Sequence, residues 1–486
     1  MNYSDVPIID ALANYNREKV VRFHMPGHKG NEMAKGQLAE LIGSKAYSID
    51  VTNIPEMDNL HQPHGIIKQA EQLAAEAFGA DKSYFLVNGS SSGLQALIMT
   101  VCNPGDKIIV PRNIHRSVLG GIILTGAIPV YYKPAYDMEY CIPLGCISDE
   151  IEQCLKTHGS AKGVLVVNPT YHGVTSDIVK LSDLAHRYGM PLIVDEAHGP
   201  HLKFHKDLPQ SAIEQGADAV VHGTHKMLTS FTQASMLHLR GNLLDRNRLE
   251  AVLRILQSTS TSYLLLASLD SARAMIQENG VEMITQALEN SAYLRTEIAN
   301  IRGLKTMGKE IIGRDGVHGL DLTKVTVSFR ELGISGYCIE KVLREEFKIQ
   351  VEMADLFNIL LLVTYGNRNS DTIAILKALT TIIDSLRLCD GLSVPKNDVL
   401  MYPENPEMVL TPREAFFAKV EFSPLDKVAG KISAEIITCY PPGVPVIGPG
   451  EKYTQDIIDY IIMLRSMGAS FQGCQDHTLE TVLTVR

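Results

Sequence analysis

Pro191-Leu192-Ile193-Val194-Asp195-Glu196-Ala197-His198 reads as a short apolar strand that runs into an acid and a histidine. Downstream, Val220-Val221-His222-Gly223-Thr224-His225-Lys226 repeats the plan, with a β-like stretch passing through a small loop to a lysine beside a histidine. Further runs of the same kind occupy 83–87, 107–110 and 163–167, each short and ending in polar or loop-forming residues. Between them lie amphipathic stretches such as 67–78, where Ile67, Ala70, Ala74, Ala77 and Phe78 recur at helical spacing before Gly79. A second helix is expected to start near Ser91. This alternation from Gly65 to Leu239 predicts an α/β domain with helices on both faces of a sheet, where ligands gather at the carboxyl ends of the strands.

Beyond that domain, 270–300 reads as a long helix, and 325–329 and 359–363 read as strands separated by an amphipathic helix over 336–347. The chain from Val394 onward is rich in proline and is expected to form turns and short elements. The expected units are an N-terminal segment (1–64), a large domain (65–269), a small α/β domain (270–393) and a C-terminal domain (394–486).

The 486 residues are 45% hydrophobic and carry a formal charge of −10, which offers no basic surface for nucleic acid or anionic lipid. No apolar run is long enough to span a bilayer, and residues 1–10 lack a basic start followed by an apolar core. The eight cysteines form no CxxC pair. A cytoplasmic protein with reduced thiols, no membrane and no nucleic-acid partner is the expectation.

Four elements carry chemistry. Lys226, withdrawn from water, would lose its charge easily and become an imine-forming nucleophile, although most lysines are solvated surface charges. Asp195 at a strand end suits a carboxylate partner for a protonated pyridine nitrogen. Its alternative is a loop cap or Mg²⁺ ligand; the letters Asp-Glu-Ala-His also occur in helicase ATPases, but no GxxxxGK[ST] phosphate loop exists in the chain. Val87-Asn88-Gly89-Ser90-Ser91-Ser92-Gly93 offers small residues and hydroxyls at a helix N-terminus, fit for a phosphate or, more plainly, an ordinary helix cap. His115, in Pro111-Arg112-Asn113-Ile114-His115-Arg116-Ser117, could stack on a ring or sit solvated in its loop. His198, His201 and His205 lack an HExxH pattern or an acidic partner at ligand spacing, so no metal is expected.

Together these segments resemble the prokaryotic ornithine/lysine/arginine decarboxylases of the aspartate-aminotransferase fold (fold type I), most closely the short arginine decarboxylase branch without an N-terminal wing domain. The resemblance runs from Phe23-His24-Met25-Pro26-Gly27-His28-Lys29-Gly30 through Asp58-Asn59-Leu60-His61, Gly65-Ile66-Ile67, the motifs above and Asn168-Pro169-Thr170-Tyr171. It ends in Tyr440-Pro441-Pro442-Gly443-Val444-Pro445 and Pro449-Gly450-Glu451. It implies pyridoxal 5′-phosphate (PLP) as cofactor, Lys226 as the Schiff-base lysine, Asp195 on the pyridine nitrogen, His115 stacking on one ring face and Ala197 packing on the other. Gly89, Ser90 and Ser91 would hold the phosphate, with His225 near it and near the reacting carbon. Ser258, Thr259 and Ser260 would reach the phosphate of a neighbouring subunit in a homodimer or higher homo-oligomer, and Glu451 would meet the distal cation of a basic amino-acid substrate. His222-Gly223 stands where relatives more often carry a hydroxyl before the His-Lys pair, which removes one expected phosphate contact. Arginine, giving agmatine for polyamine biosynthesis, is the expected substrate; lysine or ornithine, or aminotransfer on the same fold, are the alternatives. A noncatalytic scaffold would not need Lys226, Asp195 and His115 together.

Overall fold

The computed structural model describes residues 5–30, 36–385, 403–440 and 444–486. Residues 1–4, the expected domain boundary at 393/394, and Pro441, Pro442 and Gly443 of the C-terminal run lie outside the described residues.

Seven strands build the central sheet: β1 (Lys82–Leu86), β2 (Lys107–Pro111), β3 (Ile128–Tyr132), β4 (Val164–Val167), β5 (Leu192–Asp195), β6 (Ala219–His222) and β7 (Ser235–Leu239). Their spatial order is β1-β7-β6-β5-β4-β2-β3. β7 pairs antiparallel with both β1 and β6, while β6, β5, β4, β2 and β3 run parallel. The near-continuous apolar runs follow from this, because a sheet covered by helices on both faces has no wet side. Val110, Leu165, Ile193 and Val221 pack into one core with helix residues Leu97, Ile98 and Ile122. Their neighbours Val164, Val166, Val194 and Val220 face the other core with Ile151, Leu181 and Leu184.

Helix Gly89–Val101 begins two residues before Ser91 and lies close on the sheet: a Cβ added at Gly93 would stand 2.7 Å from Leu86 Cδ1 and 3.2 Å from Val221 Cγ1. Helix Ile66–Phe78 ends at Gly79 in the left-handed conformation (φ 74°). The helix expected over 270–300 is longer, Tyr263–Ala299, because Ser262 caps it seven residues earlier by accepting from Leu265 N at 3.4 Å. The expected boundary at 269/270 therefore falls inside a continuous helix.

That helix leads to a four-stranded antiparallel sheet ordered Lys305–Thr306, Lys324–Ser328, Asn358–Leu362, Met353–Ala354, covered by helices Gly336–Glu346 and Asn369–Ser385. The last unit holds a three-stranded sheet (Val444–Ile447, Ile437–Tyr440, Ser470–Gln472), the strand pair Val420–Pro424 and Thr481–Val485, and helix Gln455–Ser466. Among the described residues, Cys102, Cys141, Cys146, Cys154, Cys439 and Cys474 are free thiols.

Candidate active site

The parallel strands deliver their loops to one edge of the sheet, where a small cleft is lined by Ser90, Asn113, His115, Tyr171, Asp195, Ala197, His198 and Lys226 among others. Lys226 follows β6 on the one-turn helix Thr224–Met227. Gly223 makes room for it, because a Cβ there would lie 2.9 Å from the Ala197 carbonyl oxygen and 3.1 Å from Lys226 Cδ. Lys226 Nζ donates to His198 Nε2 at 2.8 Å and stands 5.2 Å from the centre of the Tyr171 ring, which packs at 4.3 Å on His198. With Nε2 accepting, the His198 ring proton is on Nδ1, which is buried and finds no hydrogen-bond partner among the described residues. Burial holds Lys226 below the ordinary lysine range against the opposing pull of Asp195, and it pushes His198 well below the ordinary histidine range.

Asp195 closes β5 and is buried; Ala197 N donates to its Oδ1 at 3.2 Å, and no ion pair reaches it among the described residues. Burial raises its pKa, with Lys226 pulling the other way. His115 caps helix Arg116–Thr125, its Nδ1 accepting from Ser117 N at 3.2 Å and standing 2.8 Å from Ser117 Oγ. Burial, assisted by Lys226 and Arg116, lowers His115 to about 4, so near neutrality it is an uncharged aromatic ring. Gly89, Ser90 and Ser91 form the first turn of their helix, where backbone N–H groups lack intrahelical partners. A phosphorylated pyridine aldehyde fits these residues: a desolvated amine, an ion-pair-free buried carboxylate for a ring N–H⁺, a neutral flanking imidazole and a helix N-terminus for the phosphate.

The remaining expected residues lie as follows. His225 Nδ1 donates to the Ala234 carbonyl at 3.1 Å and does not line the cleft. Ser258, Thr259 and Ser260 are exposed, and Ser258 N donates to Asn88 Oδ1 at 3.2 Å, tethering the segment beside the first turn of helix Gly89–Val101 of its own chain. Glu451 is not in the cleft. It is buried against Arg112, whose Nη1 donates to Oε1 and whose Nη2 donates to Oε2 at 3.0 Å, while Gly448 N donates to Oε2 at 2.7 Å. Its charge is thus already compensated within the chain.

His222 points away from the cleft into a buried polar row. Its Nε2 is 2.8 Å from Glu196 Oε2, its Nδ1 is 3.1 Å from His238 Nε2, and His238 Nδ1 is 2.7 Å from Ser83 Oγ. His201 pairs with Asp321 at 3.0 Å and His205 bonds Thr285. Lys324, which carries no motif, is fully buried behind the cleft: Nζ donates to Asp321 Oδ2 at 2.6 Å and to the His198 carbonyl at 3.3 Å. His198 and Tyr171 stood inside quoted motifs, yet nothing in the local sequence shows that they meet each other and Lys226.

The sheet order and site geometry define a mixed α/β fold of the aspartate-aminotransferase type with an appended C-terminal domain. The chain belongs to the Orn/Lys/Arg decarboxylase family, matching its major domain over residues 6–371 and its C-terminal domain over 396–480. It is 41% identical to the arginine decarboxylase of Bacillus subtilis (strain 168) over 486 residues, covering 100% of this chain and 99% of that protein. The constitutive lysine decarboxylase of Escherichia coli (strain K12) is more distant, at 26% identity over 571 residues, 96% of this chain and 78% of that protein. A solved structure of the E. coli constitutive lysine decarboxylase superposes with a TM-score of 0.83 at 23% identity, covering 99% of this chain and 82% of that one, a likeness of fold. Ureidoglycine-glyoxylate aminotransferase from Bacillus subtilis shares the fold more loosely, with a TM-score of 0.52 at 15% identity over 68% of this chain and 87% of that one.

Proposed function

We propose that this chain holds PLP through Lys226 and decarboxylates arginine to agmatine. The observation that carries the reading is the grouping of Lys226, Asp195 and His115 around one cleft, joined to 41% identity with an arginine decarboxylase along the whole chain. When bound, PLP supplies an electron sink for the pair left on Cα as CO₂ departs.

The chain's own residues do the rest. Burial lowers the pKa of Lys226, which would favour the free amine that forms an imine more than a solvated lysine does. Asp195 would hold a proton on the pyridine nitrogen, His115 and Ala197 would flank the ring, and the turn Gly89-Ser90-Ser91 would hold the phosphate. Lys226 is hydrogen-bonded to His198, and this pair would hold a proton within reach of the substrate Cα, whereas His225 is turned to the Ala234 carbonyl.

Ser258, Thr259 and Ser260 complete the phosphate site of a neighbouring subunit in this reading, so the working form is a homodimer or larger homo-oligomer, in the cytoplasm and in service of polyamine synthesis. Among the described residues, no helix is long and apolar enough to cross a membrane. Lysine or ornithine is the second reading, since each presents a distal cation. Purified protein supplied with PLP and each of the three amino acids, with CO₂ and the amine product measured, tests it: fastest agmatine formation is expected, while transamination without CO₂ release overturns it.

A further inference from the structure

A larger cavity of about 310 Å³ adjoins the cleft and shares Asn113, Val167, Tyr171 and Val444 with it. It lies where the large domain, the small domain and the C-terminal unit meet. Its walls are mostly apolar, with the tyrosines Tyr136, Tyr337 and Tyr460 and one carboxylate from the small domain, Asp355. The other charges around it are spent: Arg112 is locked to Glu451, and Lys133 to Glu404. Arg330 donates to the Met138 and Glu139 carbonyls and stacks 5.3 Å from the centre of the Phe357 ring.

Asp355 has no cationic partner among the described residues. Its Oδ1 accepts from Phe357 N (2.9 Å), Asn358 N (2.8 Å) and Asn358 Nδ2 (2.9 Å), whereas Oδ2 accepts only from Asn358 Nδ2 (3.0 Å) and keeps a lone pair free. All its donors are neutral amides. Burial without a compensating charge pushes this carboxyl up to about 6. A carboxylate desolvated in this way gains most from a cation that arrives with a ligand, and tyrosine faces add to the attraction.

Resting on the decarboxylase reading, we infer that this cavity takes the substrate side chain and that Asp355, not Glu451, meets its distal cationic group. The apolar walls accept the methylenes, and the tyrosines and Asp355 Oδ2 accept the guanidinium. The cavity and the Lys226 cleft have Asn113, Val167, Tyr171 and Val444 as common walls, so a long side chain that extends from the cleft past them would enter the cavity.

The test compares arginine with citrulline, which has nearly the same shape but a neutral end. On the PLP-loaded enzyme, kcat/KM favours arginine by on the order of 100-fold, the scale of one charge-assisted contact. Asp355→Asn, which keeps the Oδ1 acceptor, is expected to lower arginine's kcat/KM by most of that factor, mainly through KM, with citrulline changed less than about threefold and the absorbance of the lysine-bound cofactor unaltered. An Asp355→Asn enzyme that still discriminates as wild type overturns the inference alone; a wild type that releases CO₂ from no amino acid overturns the parent reading and the inference with it. Should Asp355→Asn not fold, Leu356→Trp fills the cavity and is expected to raise the KM for arginine about tenfold with cofactor absorbance kept. An unchanged KM in that variant also overturns the inference.

Discussion

The Nε2 of His198 accepts a hydrogen bond from the Nζ of Lys226 at 2.8 Å, and burial opposes a second positive charge on the pair. His198→Phe keeps a ring against Tyr171 but removes the acceptor. Cofactor absorbance should survive while kcat falls on the order of 100-fold, the scale of general acid–base assistance; an unchanged kcat would remove His198 from proton handling. Lys226→Ala should lose both the absorbance of lysine-bound cofactor and turnover.

In the proposed reading, the buried carboxylate of Asp195 would face the pyridine nitrogen. Asp195→Asn is expected to bind cofactor yet lose on the order of 100-fold or more in kcat, because the neutral amide no longer holds the ring proton. Full activity in this variant would contradict the assignment.

Glu451 and Arg112 form a buried, bidentate pair. Glu451→Gln leaves a guanidinium without its counter-charge and should cost about 3 kcal/mol or more of stability, with much of the loss recovered when Arg112→Met is added. Denaturant midpoints of the two variants decide this. A substrate-binding role alone would instead raise KM and leave the midpoint in place.

Burial pushes Glu71 from an ordinary 4.5 up to about 7, despite Lys82 at 3.5 Å and a bond from Phe85 N at 3.1 Å. Below pH 4.5 folded and unfolded chains both hold the proton; between 4.5 and 7 the unfolded chain loses it first, so this carboxyl's contribution to stability falls as pH rises. The fall amounts to about 3 kcal/mol across that window. Glu71→Gln can keep the Phe85 bond without the titration. Its stability relative to wild type should climb from pH 4.5 to 7 and then level off, and a flat difference would refute the shift.

The parallel strands were legible because apolar runs ending in Asp195, or leading through His222-Gly223 to Lys226, carry their own punctuation. The long helix was read short because Ser262 caps an apolar stretch whose period is hard to separate from a buried strand. The cleft residues that follow strands could be named in order. Glu451 could not be placed, since its partner Arg112 is 339 positions away. Asp355 gave no signal either: an acid before Leu356-Phe357-Asn358 looks like a turn former, and its missing cation is a fact of three-dimensional surroundings.

The row Glu196, His222, His238 and Ser83 has a consequence for how the molecule stores information. Each neutral ring carries a single proton, so the three hydrogen bonds must all point the same way. Either Ser83 donates towards an ionised Glu196, or a protonated Glu196 donates towards Ser83. Four residues on β1, β7, β6 and the residue after β5 thus flip as one binary unit, and Glu196 at its end is the chain neighbour of Asp195. The state of a proton deep under the sheet is written, bond by bond, into the orientation of a row that ends beside Asp195, the acid proposed for the cofactor ring.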